Sequence, residues 1–243
     1  MKRSPITVPS ESLTFPLRRA ARQFPDKVAV ISPEAEGKET TYRQLDECSS
    51  LLAASLADLG VEPGDRVAVW MKNGVEYILS FYGILKAGAV VVPISTHYGH
   101  REVSHQLNMT EAKGLLAQEG LIGSLGDGAS ALKTLRFVVS EGGGDPPQGA
   151  VSFSSLMRGS ALLDRSVGMD PEQTLAVLPF SSGTTGLPKG VMLTHANLLS
   201  NLYQIIQAHE VSDGDLLINQ LPFFHIYGMT VLMGAAIMAG ATQ

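Results

Sequence analysis

Apolar side chains recur at helical spacing in two stretches of the first half of the chain, and each stretch leads into a short apolar run. Residues 41–59 open with the capping-box pattern Thr-Tyr-Arg-Gln, place leucines on one helical face and end before Gly60. The run 66–70 then has the composition of a strand. A second helix is predicted over 75–86, and the continuous apolar run 89–94 is typical of a strand covered on both faces. This alternation predicts an α/β fold with parallel strands.

The second half of the chain begins with a less regular pattern. Loop compositions at 120–128 and 142–147 flank a predicted strand at 135–139. Clearer patterns follow, and from them we predict, in order, a strand at 175–178, a loop of small residues at 181–190, a strand at 191–193 and a helix after Thr194.

The last part of the chain is strongly apolar. No Asp, Glu, Lys or Arg occurs after Asp215. A membrane span needs about 20 consecutive apolar residues, whereas Pro222, His225 and several glycines interrupt this stretch. We therefore predict a buried helix at 230–240. Residues 241–243 should begin a further strand whose edge and packing face are left uncovered.

Composition narrows the function classes. The 243 residues include 18 Lys and Arg against 23 Asp and Glu, a net charge of −5, which excludes a protein that binds nucleic acid mainly by electrostatics. Hydrophobic residues make up 44%, which excludes a disordered chain, and charged residues only 17%, which suggests that some apolar surface is normally covered. The single cysteine, Cys48, permits neither an internal disulfide nor a cysteine-based zinc site, and the N-terminus lacks the apolar run of a signal peptide. We expect a reducing, cytoplasmic location.

The segment 181–190, Ser-Ser-Gly-Thr-Thr-Gly-Leu-Pro-Lys-Gly, has the composition of a phosphate-binding loop. It holds four hydroxyl side chains, three glycines and one lysine. Glycines let backbone amides approach an anion, hydroxyls donate further hydrogen bonds, and the ammonium group neutralises charge. A flexible loop without this role would have a similar composition, so that alternative stays open at this point.

Two common nucleotide-binding motifs do not fit this loop. A Walker A loop requires a second glycine where Pro188 stands and a Ser or Thr where Gly190 stands, and it opens a helix. The dinucleotide pattern Gly-x-Gly-x-x-Gly is absent because the glycines lie at 183, 186 and 190. The sequence therefore argues against an ordinary P-loop NTPase.

The segment 181–191 resembles the phosphate-loop signature of the adenylate-forming enzymes, which include acyl-CoA synthetases, 4-coumarate:CoA ligases, firefly luciferase and the adenylation domains of peptide synthetases. Residues 40–45 (Thr-Thr-Tyr-Arg-Gln-Leu), 85–93 (Leu-Lys-Ala-Gly-Ala-Val-Val-Val-Pro) and 222–228 (Pro-Phe-Phe-His-Ile-Tyr-Gly) resemble further motifs of that family in order and spacing. The resemblance covers nearly the whole chain. It implies the N-terminal part of the family's large domain, an α/β fold with mixed and largely parallel sheets flanked by helices.

The resemblance also implies a function. Family members join a carboxylic acid to ATP, release pyrophosphate, and in many cases pass the acyl group from the adenylate to coenzyme A. ATP, Mg²⁺, coenzyme A and a fatty or aryl acid are therefore the implied ligands. The residues implied to bind the phosphates are Ser181, Ser182, Gly183, Thr184, Thr185, Gly186 and Lys189, with Thr184 beside the metal ion.

The segment 222–228 resembles the acyl-pocket motif of the same family. His225 would contact the carboxylate end of the acid, while Tyr227 and Gly228 would shape the wall. Lys189 and His225 are thus the residues implied to act in catalysis.

Histidines also have simpler interpretations. His225 lies among aromatic residues and could be a packed core residue. His195, beside Thr194, is expected to begin a helix. No metal-ligand pattern is found at His97, His100 and His105.

Later elements of the family do not occur in residues 1–243, among them a Tyr-Gly-x-Thr-Glu segment, a ribose-binding aspartate and a small C-terminal domain with a catalytic lysine. We expect residues 1–243 to form the N-terminal part of an AMP-binding domain and to be inactive alone. Two alternatives stay open: a non-catalytic module that binds nucleotide or an acyl chain, and an adenylation domain of a peptide synthetase. We expect small-molecule partners, no nucleic acid and no transmembrane segment. An exposed apolar face could pair two copies in a homodimer.

Overall fold

The computed structural model describes residues 6–32, 37–123, 134–159, 161–181 and 188–243. Its helices are α1 (Phe15–Gln23), α2 (Tyr42–Asp58), α3 (Val75–Lys86), α4 (His100–Met109), α5 (Glu119–Ile122), α6 (Phe153–Leu156), α7 (His195–His209), a π-helical segment (Gly228–Gly234) and α8 (Ala235–Ala239). Its strands are β1 (Val28–Ser32), β2 (Lys38–Thr41), β3 (Arg66–Trp70), β4 (Val90–Pro93), β5 (Gly114–Gln118), β6 (Phe137–Glu141), β7 (Ala150–Ser152), β8 (Leu175–Val177), β9 (Phe180–Ser181), β10 (Lys189–Gly190) and β11 (Leu193–Thr194).

A seven-stranded sheet organises the fold, in the order β11-β8-β4-β3-β5-β6-β7. Strand β11 runs antiparallel to β8, and every other neighbouring pair is parallel. Two small antiparallel pairs, β1–β2 and β9–β10, accompany it. The expected α/β fold with a mixed and largely parallel sheet is therefore confirmed.

Both faces of this sheet are covered, as its apolar strands require. Val67 and Val69 belong to the larger core cluster, on the side of α2 and α3, while Ala68 and Trp70 belong to a second cluster on the side of α4. All four residues of β4 are buried. The continuous apolar runs of the sequence thus correspond to strands that contact helices on both sides.

Helices α2 and α3 begin and end close to where the sequence predicts. Thr41 caps α2 through the expected capping box with Gln44, in which both reciprocal hydrogen bonds are formed. Gly60, with a φ of 88°, follows the helix in the left-handed region that favours glycine. Close packing joins the two helices, because a Cβ at Gly83 would lie 2.7 Å from Leu52 Cδ2.

Two strand predictions need correction. The strand predicted at 135–139 lies two residues later, as β6. The strand predicted at 191–193 is wrong for its first two residues, because only Leu193 and Thr194 pair with β8. Val191 and Met192 form a solvent-exposed connection after β10. The predicted loop at 120–128 lies partly outside the described residues.

The apolar end of the chain forms a buried helical segment, as predicted, made of the π-helical segment and α8. Across the described ranges, no helix is long and apolar enough to cross a membrane.

Residues 241–243 are extended, but the expectation that they form an uncovered edge is wrong. Gln243 exchanges backbone hydrogen bonds with β1, accepting from Ile31 at 2.8 Å and donating to Ala29 at 2.9 Å. On the other side, Thr242 bridges Leu216. The uncovered apolar positions lie one segment further out, where Leu216 is 64% exposed and Ile218 76%.

Candidate functional site

The carboxyl ends of the parallel strands meet at one edge of the central sheet. Ligands of open α/β sheets bind at this edge. Three chain segments with polar side chains leave the sheet there: Asn73 follows β3, Ser95 follows β4, and β9 follows β8. Residues that bind a ligand are therefore expected at this edge.

The short β9–β10 hairpin holds both ends of the predicted phosphate loop. Ser181 pairs with Lys189, and Phe180 pairs with Gly190. Residues directly opposite on antiparallel strands project their side chains to one face, with Cα atoms within about 5.5 Å. The fold thus brings the first hydroxyl of the loop and its only lysine side by side. The other predicted contacts lie outside the described residues: Ser182, Gly183, Thr184, Thr185 and Gly186.

Electrostatics at the hairpin favour an anion. Ser181 and Lys189 are exposed. Within the part of the chain that the structure describes, the ion pairs use other cations and leave Lys189 without a carboxylate partner. An ammonium group that no carboxylate neutralises can attract a phosphate chain.

The strand after the hairpin leads into a firmly anchored helix. Thr194 caps α7 through a capping box with Asn197. His195 begins the helix, as the sequence predicts, and is 1% exposed. Its Nδ1 accepts a hydrogen bond of 3.0 Å from the Leu13 backbone N–H. Burial lowers the pKa of His195 to about 4, so the ring is neutral and serves the fold.

The second candidate group lies on the turn that starts at Pro222. His225 and Tyr227 are exposed, and the Tyr227 backbone N–H donates to His225 Nδ1 at 3.2 Å. The alternative that His225 is a packed core residue is therefore wrong. Gly228 is buried, and a Cβ there would collide with the Pro222 carbonyl. Only glycine allows this turn to close before the π-helical segment begins.

Sequence reasoning missed one residue that organises this turn. The side chain of Asn73 donates from Nδ2 to the backbone carbonyls of Asn219, at 3.2 Å, and Leu221, at 2.8 Å. Its Oδ1 accepts from the Phe223 backbone N–H at 2.7 Å. A polar residue three positions after the end of a parallel strand was the available signal. Its partners are about 150 residues away, so the sequence pattern could not name them.

A cavity of about 710 Å³ adjoins the same segment, with walls that include Asn73, Tyr77 and Asn219. The Tyr77 hydroxyl is buried without a hydrogen-bond partner among the described residues, and burial raises the pKa of Tyr77 above its ordinary range. Its ring packs on Phe223 with centroids 5.5 Å apart. Tyr77 therefore supports the turn mainly by apolar contact.

Metal-ligating side chains do not cluster in the described ranges, since no group of three or more His, Cys, Asp or Glu could hold an ion there. In particular, His97, His100 and His105 do not converge. The predicted metal contact, Thr184, lies outside those ranges.

Comparison with known proteins identifies the class. The mostly parallel sheet flanked by helices matches the fold of solved adenylate-forming enzymes. The family model for AMP-binding enzymes matches residues 17–243, and the chain belongs to that family.

Several similar proteins are CoA ligases. The chain is 33% identical to 4-coumarate--CoA ligase 1 of Petroselinum crispum over 89% of its own length and 40% of that protein. It is 30% identical to the long-chain-fatty-acid--CoA ligase of Bacillus subtilis over 97% of its length and 46% of that protein. The crystal structure of the anthranilate CoA ligase AuaEII in complex with anthranoyl-AMP matches with a TM-score of 0.90 at 25% identity, over 100% of this chain and 46% of that one. The chain thus spans less than half the length of these relatives.

Proposed function

We propose that this chain carries the phosphate-binding and acyl-binding elements of an ATP-dependent acid:CoA ligase. The observation that carries the proposal is the cross-strand pairing of Ser181 with Lys189 at the carboxyl edge of the sheet. The CoA-ligase relatives agree with it. The substrate class is a carboxylic acid with an apolar fatty or aryl group.

The chemistry explains why the hairpin is needed. A carboxylate oxygen attacks the α-phosphorus of ATP and forms an acyl–phosphate bond, while the bond to the bridging oxygen breaks and pyrophosphate leaves with the electron pair. Carboxylate and triphosphate repel each other, and charge accumulates on the leaving group. Lys189 would neutralise that charge, and Ser181 would donate a hydrogen bond, together with the backbone and hydroxyls of residues 182–186.

The turn at 222–228 would receive the other reactant. His225 is exposed on that turn, with Nδ1 taken by the Tyr227 backbone N–H, so Nε2 is the ring nitrogen left to face the acid or the adenylate. Tyr227 and the close turn at Gly228 would form the wall beside it.

Coenzyme A would accept the acyl group in the second step, when its thiolate attacks the acyl carbonyl and AMP leaves. Mg²⁺ fits as an ion that arrives with ATP, because Mg²⁺ usually binds substrate phosphates with few protein ligands and the described residues offer no carboxylate cluster. Thr184 is the residue proposed to contact it. Bound Mg²⁺ would offset negative charge on the phosphates.

ATP–pyrophosphate exchange by a full-length enzyme that contains this chain tests the proposal, with dodecanoate and 4-coumarate as separate acids. Lys189→Ala should lower the exchange rate by roughly 10²–10³-fold, as the loss of one charge-stabilising donor does in other enzymes. Lys72→Ala is the matched control, because Lys72 is also exposed and follows β3 at the same edge. Equal rates for Lys189→Ala and Lys72→Ala would reject the role of the hairpin.

The 243-residue chain should not catalyse exchange by itself, because the proposed chemistry also needs a ribose contact and a second lysine that the family supplies elsewhere. Exchange by this chain alone would refute that expectation. Binding of nucleotide without exchange is the behaviour that we propose for it.

A further inference from the structure

The turn that carries His225 and Tyr227 is attached to the sheet by a small number of identifiable contacts. Asn73 makes three hydrogen bonds to the backbone of residues 219–223. Tyr77 packs on Phe223, and the rings of His97 and Phe224 meet edge to face with centroids 6.1 Å apart. Of these contacts, those of Asn73 alone fix backbone atoms.

The side-chain amide of Asn73 matches this backbone chemically. It presents one acceptor and two donors, and each has a partner: the Phe223 N–H on Oδ1, and the Leu221 and Asn219 carbonyls on Nδ2. Aspartate would keep the acceptor but turn a carboxylate towards two carbonyl oxygens. Alanine would leave all three backbone groups without these partners. An amide of this length is therefore required.

The position of Asn73 in the fold connects the turn to the central sheet. It follows β3, whose neighbour β4 pairs in turn with β8, the strand that leads into the β9–β10 hairpin. Asn73 thus ties the turn at 222–228 to the same rigid sheet that carries Lys189. Reacting atoms must come within about 3–3.5 Å, and a shift of about 1 Å in one partner lowers the rate strongly.

We propose that Asn73 is a positioning residue: through its side-chain amide it sets the place of His225 and Tyr227 relative to the Ser181–Lys189 hairpin. The inference rests on the proposed function, in which this turn receives the acid. The side-chain amide of Asn73 hydrogen-bonds to the backbone of the turn, so Asn73 need not touch the substrate to affect the reaction.

Hydrogen–deuterium exchange of the 243-residue chain tests the attachment without any ligand. In Asn73→Ala and Asn73→Asp, amides within residues 219–229 should exchange roughly tenfold faster than in the unmodified chain, because local opening then has fewer hydrogen bonds to break. Ser80→Ala is the control, since it removes a side chain of helix α3, the helix that follows Asn73. The Ser80 hydroxyl donates to the Glu76 carbonyl and to Met71 Sδ, both outside residues 219–229. Exchange at 219–229 should be unchanged in that variant.

An NMR titration of the same chain with a non-hydrolysable acyl-adenylate mimic, dodecanoyl sulfamoyl adenosine, in the presence of magnesium pyrophosphate tests the positioning role. In the unmodified chain, pyrophosphate should shift the backbone amide of Lys189, and the mimic should shift that of Tyr227. In Asn73→Ala the shift at Lys189 should remain and the shift at Tyr227 should be lost. Asn73→Gln, which restores an amide, should recover part of it.

The outcomes separate the two proposals. Equal exchange at 219–229 in Asn73→Ala and the unmodified chain overturns the role of Asn73, whatever the mimic does. Faster exchange with an undiminished Tyr227 shift also overturns it, because the turn would then be attached by Asn73 without being placed by it. If the mimic shifts no amide of the turn in the unmodified chain while exchange responds to Asn73, the proposed acyl-binding function of the turn fails instead.

Discussion

Helix α3 and the turn at 222–228 are neighbours held in place by opposite means. Every residue of α3 from Tyr77 to Lys86 is buried, so hydrophobic burial fixes the helix from all sides. In the turn, His225 and Tyr227 are exposed, and hydrogen bonds from Asn73 together with the tight approach at Gly228 fix its path. Substitutions in α3 should therefore change stability, whereas substitutions in the turn should change ligand contacts with a smaller loss of stability.

The largest expected effect concerns the buried lysine of α3. Lys86 is 0% exposed, and its Nζ lies 2.7 Å from Asp46 Oδ1 on α2. Burial lowers the pKa of Lys86, while Asp46 opposes that shift. Asp46→Ala leaves a buried ammonium group without its counter-charge, which should cost about 3 kcal/mol of unfolding free energy in urea denaturation.

Lys86→Met is the informative control for this pair. It leaves Asp46, whose side chain is 30% exposed and can be hydrated, and it fills the same volume with an apolar chain. We expect a change of about 1 kcal/mol or less. A larger loss for Lys86→Met than for Asp46→Ala would contradict the account of the α2–α3 layer.

The next effect depends on pH and concerns His195, which links the scaffold to the strand after the hairpin. The buried ring has a pKa of about 4, and the unfolded chain binds the proton near pH 6.5. The unfolded state therefore gains protons first, so the His195 contribution is complete above pH 6.5 and is lost as the pH falls towards 4. The loss is about 3 kcal/mol at about 1.4 kcal/mol per pKa unit.

His195→Gln isolates the pH-dependent contribution of His195 to stability, because glutamine does not titrate and can still accept a hydrogen bond from the Leu13 N–H. The unfolding free energies of the two proteins should converge as the pH falls from 6.5 to 4. These limits are the pKa of a free histidine and the pKa of His195 in the folded protein. If the unfolding free energies of the two proteins changed with pH in parallel, His195 would not be the source of the pH dependence.

A smaller effect on stability is expected at Gly228, where the two regions meet. A Cβ would collide with the Pro222 carbonyl, so Gly228→Ala should cost about 1–3 kcal/mol and shift the amide signals of residues 221–227. Gly120→Ala, which adds a Cβ with nothing within 4 Å, should change stability by about 0.5 kcal/mol or less. Similar amide shifts in both variants would contradict the collision expected between a Cβ at position 228 and the Pro222 carbonyl.

The same comparison explains what the sequence could predict. The capping box at Thr41 and the span of α3 depend on neighbours within a few residues, and both are confirmed. Contacts of Asn73 with residues 219–223 depend on how distant segments meet, and no local pattern encodes that. The strand predicted at 191–193 was wrong at its start because only Leu193 reaches β8.

The candidate site also contains residues that the sequence could indicate and contacts that only the fold reveals. Composition indicated Lys189 and the loop hydroxyls, and the motif indicated His225, Tyr227 and Gly228. Pairing of Ser181 with Lys189 across β9–β10, by contrast, became evident only from the strand register. Local residue types thus reveal which chemistry is present, while the sheet determines which groups share one face.

The most direct measurement is a ¹H–¹⁵N NMR titration of this chain with MgATP, which detects even weak binding. The account predicts that the amides of Ser181, Lys189 and Gly190 shift, that Lys189→Ala abolishes these shifts with little change in stability, and that Lys72→Ala retains them. Shifts confined to residues away from the hairpin, or shifts of equal size in Lys189→Ala, would contradict it.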